Sequence, residues 1–283
     1  MEKFVQRAKT LIEALPYIKK FNSKTIVFKY GGSIGSKDFS NFARDIVLMK
    51  LVGINPVIVH GGGAEISKVL ESLKIESNFI DGLRVTCPKT MEVVEMVLGG
   101  KVNKEIVSKI IMNGGKSVGI SGKDGGFLRV KKVKASKKSQ DLGRVGEITK
   151  VDIKLITELQ DNGYIPVVAP IGSNNKGVSY NINADHAASK IASSLKAEKL
   201  IILTDVPGIQ DEKRKLISSI TKKTANSLIR KGVIAKGMVP KVKCLVQALM
   251  DGVNKAHIID GRIPHAVILE TFTDSGIGTE ILL

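Results

Sequence analysis

The sequence predicts an α/β protein built on a mainly parallel sheet with helices on both faces. Three observations carry that prediction. Apolar runs of strand length recur along the chain, and each ends in a glycine-containing turn or follows a helical stretch. Between them lie segments whose apolar residues fall at helical spacing. Nearly continuous apolar strands alternating with amphipathic helices are what a sheet covered on both faces requires. Finally, 43% of the 283 residues are hydrophobic, enough for a sizeable core, which sets aside disordered and mini-protein classes.

Taken in order, Phe4, Val5, Ala8, Leu11, Ile12, Leu15, Ile18 and Phe21 predict an amphipathic helix with a kink at Pro16. Its apolar stripe lies outside the main strand–helix rhythm, so it packs either on the chain's own body or on another subunit. Thr25–Tyr30 (TIVFKY) predicts a strand leading into Gly31-Gly32, and Pro56–His60 (PVIVH) one leading into Gly61-Gly62-Gly63. Ile66, Val69, Leu70 and Leu73 mark the helix that follows. Ser117–Ser121 (SVGIS) leads into Gly122-Lys123-Asp124. Arg129–Ile148 breaks the rhythm and reads as an edge hairpin, rich in lysine at 131, 132, 134, 137 and 138. Those lysines protect an edge from pairing or offer a surface to a polyanion. Ile165–Ala169 is the next strand, with helical spacing at Ala187, Ala188, Ile191, Ala192 and Leu195 beyond it. Leu200–Leu203 ends in Thr204-Asp205-Val206-Pro207-Gly208, Pro240 begins a helix over Val242–Ala248, and His257–Ile259 precedes Asp260-Gly261. A division into lobes falls near residues 170–185.

Charge narrows the function. Lys and Arg number 44 against 27 Asp and Glu, a net +17 that draws anions of any kind. Aromatics are only 4%, with no Trp, so stacking platforms for nucleic acid are scarce. The two cysteines, Cys87 and Cys244, form no CxxC and suit a reducing compartment. No apolar run reaches the roughly eighteen residues of a membrane span, and the first residues lack a leader's pattern. The expectation is a cytoplasmic protein without a membrane anchor.

The chemistry-bearing residues cluster at the strand ends, where ligands of parallel sheets bind. KYGGS (29–33) and HGGGA (60–64) each join a strand to a helix, and glycine lets N–H groups approach an anion at a helix N-terminus. Neither is a known nucleotide loop. Ile110 stands where a P-loop ending in Gly115-Lys116-Ser117 needs glycine, and no GxGxxG opens the first unit. Lys29 ends a buried-looking strand, at a cost unless it points to solvent or meets an anion. Lys241 falls in the first turn of a helix, where only an intervening anion favours a cation. Asn183 or Asp185 precedes an apolar helix as an N-cap or first-turn acid, or else Asn181 hydrogen-bonds a substrate and Asp185 holds the lysines. His60 reads as a strand-end residue, the four histidines show no metal-ligand spacing, and Ser33 and Ser121 lack a nucleophile-elbow context.

KYGGS, VHGGGAEI, GLRVT (82–86), YNINAD (180–185), LTDVPGI (203–209) and GMVPK (237–241) occur in this order. In that arrangement the sequence resembles the acetylglutamate kinases of the amino acid kinase family over essentially its whole length. The resemblance implies a three-layer αβα sandwich. Residues 1–22 would be an oligomerisation helix, 23–180 a lobe for dimerisation and for N-acetyl-L-glutamate, and 181–283 a lobe for ATP with its Mg²⁺. It implies that Lys29 and Lys241 stabilise the phosphoryl group in transit and that Asp185 organises them. Gly32 and Gly62 would hold phosphoryl oxygens, and Gly62, Gly63, Arg84 and Asn181 would contact acetylglutamate. Thr204, Asp205 and Gly208 would line the nucleotide site. LIEALPYIKKF and HAVILETFTDSGIGT resemble the arginine-sensitive members, which implies a hexamer built as a trimer of dimers, inhibited by arginine bound at Glu270, Gly276 and Lys196. A PII-type signal protein is a further implied partner. Two departures stand out: Ser33 replaces the family's usual asparagine, and Lys236 the first glycine of Gly-Gly-Met. A carbamate, aspartate or uridylate kinase of the same family is the nearest alternative, and GLRVT with YNINAD argues against it.

Overall fold

The structure, a computed structural model, describes residues 1–31, 36–133 and 141–283. Its chain opens with two helices, α1 (Glu2–Glu13) and α2 (Leu15–Phe21), which meet at Ala14. Pro16 lies in the first turn of α2, where no backbone N–H is missed, so the predicted kink is realised as a helix boundary. Phe21 is buried, whereas Phe4, Leu11 and Ile12 of α1 stay exposed. The chain continues through β1 (Thr25–Tyr30), α3 (Ser36–Leu51), β2 (Asn55–His60), α4 (Gly63–Ser72) and a short hairpin, β3 (Phe79–Ile80) with β4 (Leu83–Arg84). Next come α5 (Pro88–Glu95), a π-helical stretch Met96–Val102 and α6 (Asn103–Met112), without a break between them. The second half holds β5 (Ser117–Ser121), β6 (Leu128–Lys132), β7 (Gly146–Val151), α7 (Lys154–Asp161), β8 (Ile165–Ala169), β9 (Ile171–Ser173), β10 (Ser179–Asn181) and α8 (Ala184–Ser194). It ends with β11 (Lys199–Thr204), β12 (Ser219–Thr221), α9 (Lys222–Arg230), α10 (Met238–Met250), β13 (Lys255–Asp260), α11 (Ala266–Thr271) and β14 (Thr279–Leu282).

Eight strands form one sheet in the order β12-β14-β13-β11-β1-β2-β8-β5. It is parallel except at one end, where β14 and its neighbour β12 run against the rest. The period of two sorts the central side chains between two apolar cores. Val27, Val57, Val59, Leu200 and Ile202 pack with Ala188 and Ile191 of α8 and Val242 and Leu245 of α10. Ile26, Phe28, Tyr30, Ile58 and Ile201 pack on the other face with Phe39, Phe42 and Ile46 of α3 and Ile106 of α6. Helix, sheet and helix therefore make three layers, as expected. Tyr30, Phe39 and Phe42 interlock at ring-centroid separations of 4.8–5.6 Å, which holds α3 over the end of β1.

The basic segment forms the expected edge hairpin: β6 and β7 pair antiparallel, and β7 is the edge strand of a separate four-stranded sheet, β10-β9-β6-β7. Lys131 and Lys132 pair with Glu147 and Asp141. Lys134, Lys137 and Lys138 lie outside the described residues. α10 begins at Met238, two residues before Pro240, which the sequence made its start and which lies inside its first turn. Lys236, where the family's usual residue is glycine, has φ +47°, a left-handed conformation that glycine adopts without a Cβ penalty. Among the described residues no helix is long and apolar enough to cross a membrane.

Candidate functional site

β1 lies between β2 and β11, and the chain builds outward from it in both directions. In such a sheet the crevice at the strand carboxyl ends is the natural ligand site. Lys29 falls there. It shares the face of Val27, so its side chain runs under α8, with only 7% exposure. The first turn of α8 brings the anion it needs. Asn183 caps that helix, its Oδ1 accepting from the N–H groups of Asp185 (2.9 Å) and His186 (3.1 Å). Such a cap is worth about 1 kcal/mol and fixes where the helix starts, hence where Asp185 points.

Asp185 is 5% exposed and holds both lysines. Its Oδ1 lies 2.8 Å from Lys29 Nζ in an ion pair without a hydrogen bond's angles. Its Oδ2 accepts a 2.8 Å hydrogen bond from Lys241 Nζ, which α10 brings across. Burial alone would raise the Asp185 pKa, but the two ammonium groups outweigh it and hold the carboxyl below its ordinary value. Lys29 is pushed below the ordinary lysine value, chiefly by burial, and Asp185 opposes the shift. Two cations on one carboxylate leave a net charge of +1 facing the crevice.

An open cleft of about 180 Å³ lies beside this group, lined by Gly62, Gly63, Arg84, Leu98, Asn181 and Asn183 among others. The glycine turn after β2 forms its floor. A Cβ at Gly62 would come within 2.4 Å of Leu98 Cδ2, so a side chain there would have to push Leu98 of the π-helical stretch aside. Arg84 is 6% exposed and stacks on Phe79 at 4.6 Å. It donates to the Gly63 carbonyl (2.8 Å), to Ser67 Oγ (2.9 Å) and to Ser77 Oγ. Among the described residues no carboxylate meets this buried guanidinium, so its charge is open to an anionic ligand.

The second sheet positions Asn181 against Arg84, a function no motif announced. Thr86 Oγ1 donates to the Arg84 carbonyl (2.7 Å) and accepts from Asn181 Nδ2 (3.3 Å). Between them runs the segment before β7: Arg144 N–H donates to the Thr86 carbonyl, and Asn181 N–H to the Arg144 carbonyl. Gly143, at φ +66°, makes that approach possible, since a Cβ would lie 2.3 Å from the Thr86 carbonyl oxygen. Glu95 adds a further tie, accepting from Lys123 (2.6 Å) and from Ser179 Oγ (2.8 Å).

The remaining expected residues fall in three places. Gly32, with Ser33, lies outside the described residues. Thr204 ends β11, and its hydroxyl donates to the Val206 carbonyl (2.8 Å), while Asp205 is exposed. Gly208 sits against Leu216 and Thr279. Glu270 and Gly276 line a second cleft of about 170 Å³ with Tyr17, Lys199, His257 and Asp274. Lys196 is exposed and is not part of that lining. Glu270 is already engaged: His257 Nδ1 lies 2.7 Å from it, and the N–H groups of Ile277 (2.8 Å) and Gly278 (3.2 Å) donate to it.

Comparison with known proteins gives the family. The model of the amino acid kinase family matches residues 24–260. An acetylglutamate kinase of Heliobacterium modesticaldum is 54% identical over 294 residues, covering all of both chains. Among solved structures, N-acetylglutamate synthase of Neisseria gonorrhoeae with coenzyme A and N-acetyl-glutamate superposes with a TM-score of 0.88 at 26% identity. That match covers 98% of this chain and 63% of the synthase. The same synthase with coenzyme A and L-arginine gives 0.84 at 25% identity, over 95% of this chain and 64% of that one.

Proposed function

Since the chain belongs to the amino acid kinase family and is an ATP-dependent kinase, we propose that it transfers the γ-phosphoryl group of ATP to the γ-carboxylate of N-acetyl-L-glutamate. The observation that carries this reading is Asp185 clamped between Lys29 and Lys241 beside a cleft lined by buried Arg84, which meets no carboxylate among the described residues. Phosphoryl transfer to a carboxylate brings two anions together through a loose, highly charged transition state. Alignment and fixed positive charge are what it needs. Arg84 and Asn181 would hold the acceptor by groups that do not react, and the net charge of the lysine group would meet the phosphoryl oxygens as it passes. A carboxylate acceptor carries no proton to remove, so no general base is required. Among the described residues no group of three His, Cys, Asp or Glu side chains could cage a metal ion. Mg²⁺ in this reading travels with the nucleotide's phosphates.

The product would be an acyl phosphate, which hydroxylamine traps as a hydroxamate. Folded protein with Mg·ATP and N-acetyl-L-glutamate is expected to give hydroxamate, with glutamate, aspartate, carbamate and UMP giving little turnover. Preferred turnover of another acceptor in that panel overturns the substrate assignment.

The second cleft supports a regulatory reading, feedback inhibition by arginine in a hexameric ring. Its wall combines buried Glu270 with Tyr17 and Phe21 of α2, so the segment that carries α1's exposed apolar face also borders the cleft. Glu270 is taken up by His257, and Tyr17 donates to Asp274, so a guanidinium entering here would have to displace one of these partners. Removing residues 1–20 is expected to leave active dimers that arginine no longer inhibits. Sedimentation of the full chain as a dimer, with activity unchanged in arginine, refutes the regulation and leaves the kinase reading in place.

A further inference from the structure

His60 ends β2 with no solvent exposure, and the chemistry above does not use it. Its Nδ1 lies 2.8 Å from the Gly61 carbonyl oxygen and its Nε2 3.2 Å from Asn103 Nδ2. The neighbours determine which nitrogen bears the hydrogen. Asn103 Nδ2 also donates to the Val167 carbonyl (2.9 Å), while Lys104 Nζ donates to Asn103 Oδ1 (3.2 Å). A carbonyl only accepts and an ammonium only donates, so both ends of the Asn103 amide are fixed. Its second N–H therefore faces Nε2, which accepts, and Nδ1 carries the hydrogen that goes to the Gly61 carbonyl. Protonating Nε2 would set donor against donor. Burial, helped by Lys104, pushes the ring's pKa down to about 4, so it stays neutral at ordinary pH.

A trans peptide points its C=O and the following N–H in opposite directions, and no cis bond occurs among the described residues. Fixing the Gly61 carbonyl on His60 thus turns the Gly62 N–H away from the ring. Gly62 is buried and lines the cleft, and among the described residues no acceptor meets its N–H. An N–H at the wall of a cleft that no protein acceptor takes up is left for a ligand.

We infer that His60 is a positioning residue, whose Nδ1–H grips the Gly61 carbonyl and so aims the Gly62 N–H at the phosphoryl group in transit. The inference rests on the phosphoryl-transfer reading. Two substitutions separate the ring's two contacts. His60→Asn keeps an amide N–H at the Nδ1 position, because both atoms are bonded to Cγ. His60→Gln carries its amide out toward Asn103 and leaves the Gly61 carbonyl unheld.

His60→Asn is expected to keep kcat within about threefold. His60→Gln should lower it on the order of 10²-fold with little change in KM for acetylglutamate, as for loss of a donor that acts only in the transition state. Thermal midpoints of the two should be alike, each having lost one contact. Equal kcat in both variants, or kcat that simply tracks the melting temperature, overturns the proposal. A separate measurement needs no turnover: imidazole nitrogen shifts in the wild-type chain should report the Nδ1–H tautomer from about pH 5.5 to 8. An Nε2–H tautomer overturns the proposal even in active enzyme. A wild type inactive on acetylglutamate counts against the substrate assignment, and the tautomer then decides this inference.

Discussion

Lys29→Ala and Lys241→Ala are each expected to lower kcat by about 10²–10³, the loss typical when one preorganised donor to a transition state is removed. The acceptor's KM should change far less, because Arg84 and Asn181, not the lysines, line the cleft proposed for the acceptor. The wild-type pH profile carries a matching signature. In the proposed reaction Lys29 acts while protonated, and burial holds its pKa below the ordinary lysine value. Its charge is complete below that pKa and is lost as pH rises through it, so kcat should fall on the alkaline side earlier than an exposed lysine would allow. Steady-state kinetics across that range, with folding checked by circular dichroism, test both statements. A Lys241→Ala enzyme within threefold of wild-type kcat would remove the pair from the chemistry.

Asp185→Asn is expected to be the most destabilising change at the site, by about 3–5 kcal/mol at neutral pH. It leaves a buried ammonium and a half-buried one without their shared counter-charge. The folded carboxyl has a depressed pKa. Its contribution is therefore fully present above the unfolded value of about 3.9 and disappears as pH falls through the folded one. The gap between wild-type and variant urea midpoints should be wide at pH 7 and close as the solution is acidified. A gap that stays constant with pH would mean that the charge on Asp185 is not what holds the lysines.

What the sequence made legible follows from how local each signal is. Lys29 stood out because an ammonium at the end of an apolar strand needs an explanation within a few residues. Gly62 stood out because a run of three glycines joins a strand to a helix there, where bare backbone N–H groups can approach an anion. The cap at Asn183 and the acid at Asp185 sit in one short polar run, so either role was readable, and the structure gives each residue one of them. The tie from Arg84 through Thr86 and Arg144 to Asn181 was not legible, because it joins three segments far apart in the chain by backbone pairing that any residue type can make. The same holds for Glu95 with Lys123 and Ser179. β12 and β14, at three and four residues, are too short for a period of two to show. Lys199 and His257 look like strand residues until the sheet's end brings them to Glu270.

The π-helical stretch Met96–Val102 has a consequence for how this gene can vary. A wide turn of that kind holds a residue more than the α-helices on either side of it would need, and it lies directly over the glycine floor of the cleft. Loss of one codon there would let the rod close into a continuous α-helix without breaking the reading frame of the fold. Each residue turns an α-helix by about a hundred degrees. Such a deletion would therefore swing α5, with Glu95 at its end, relative to α6, and would take Leu98 off Gly62. Among lineages descended from this chain, length should accordingly drift in the surface turns and stay constant between Pro88 and Met112.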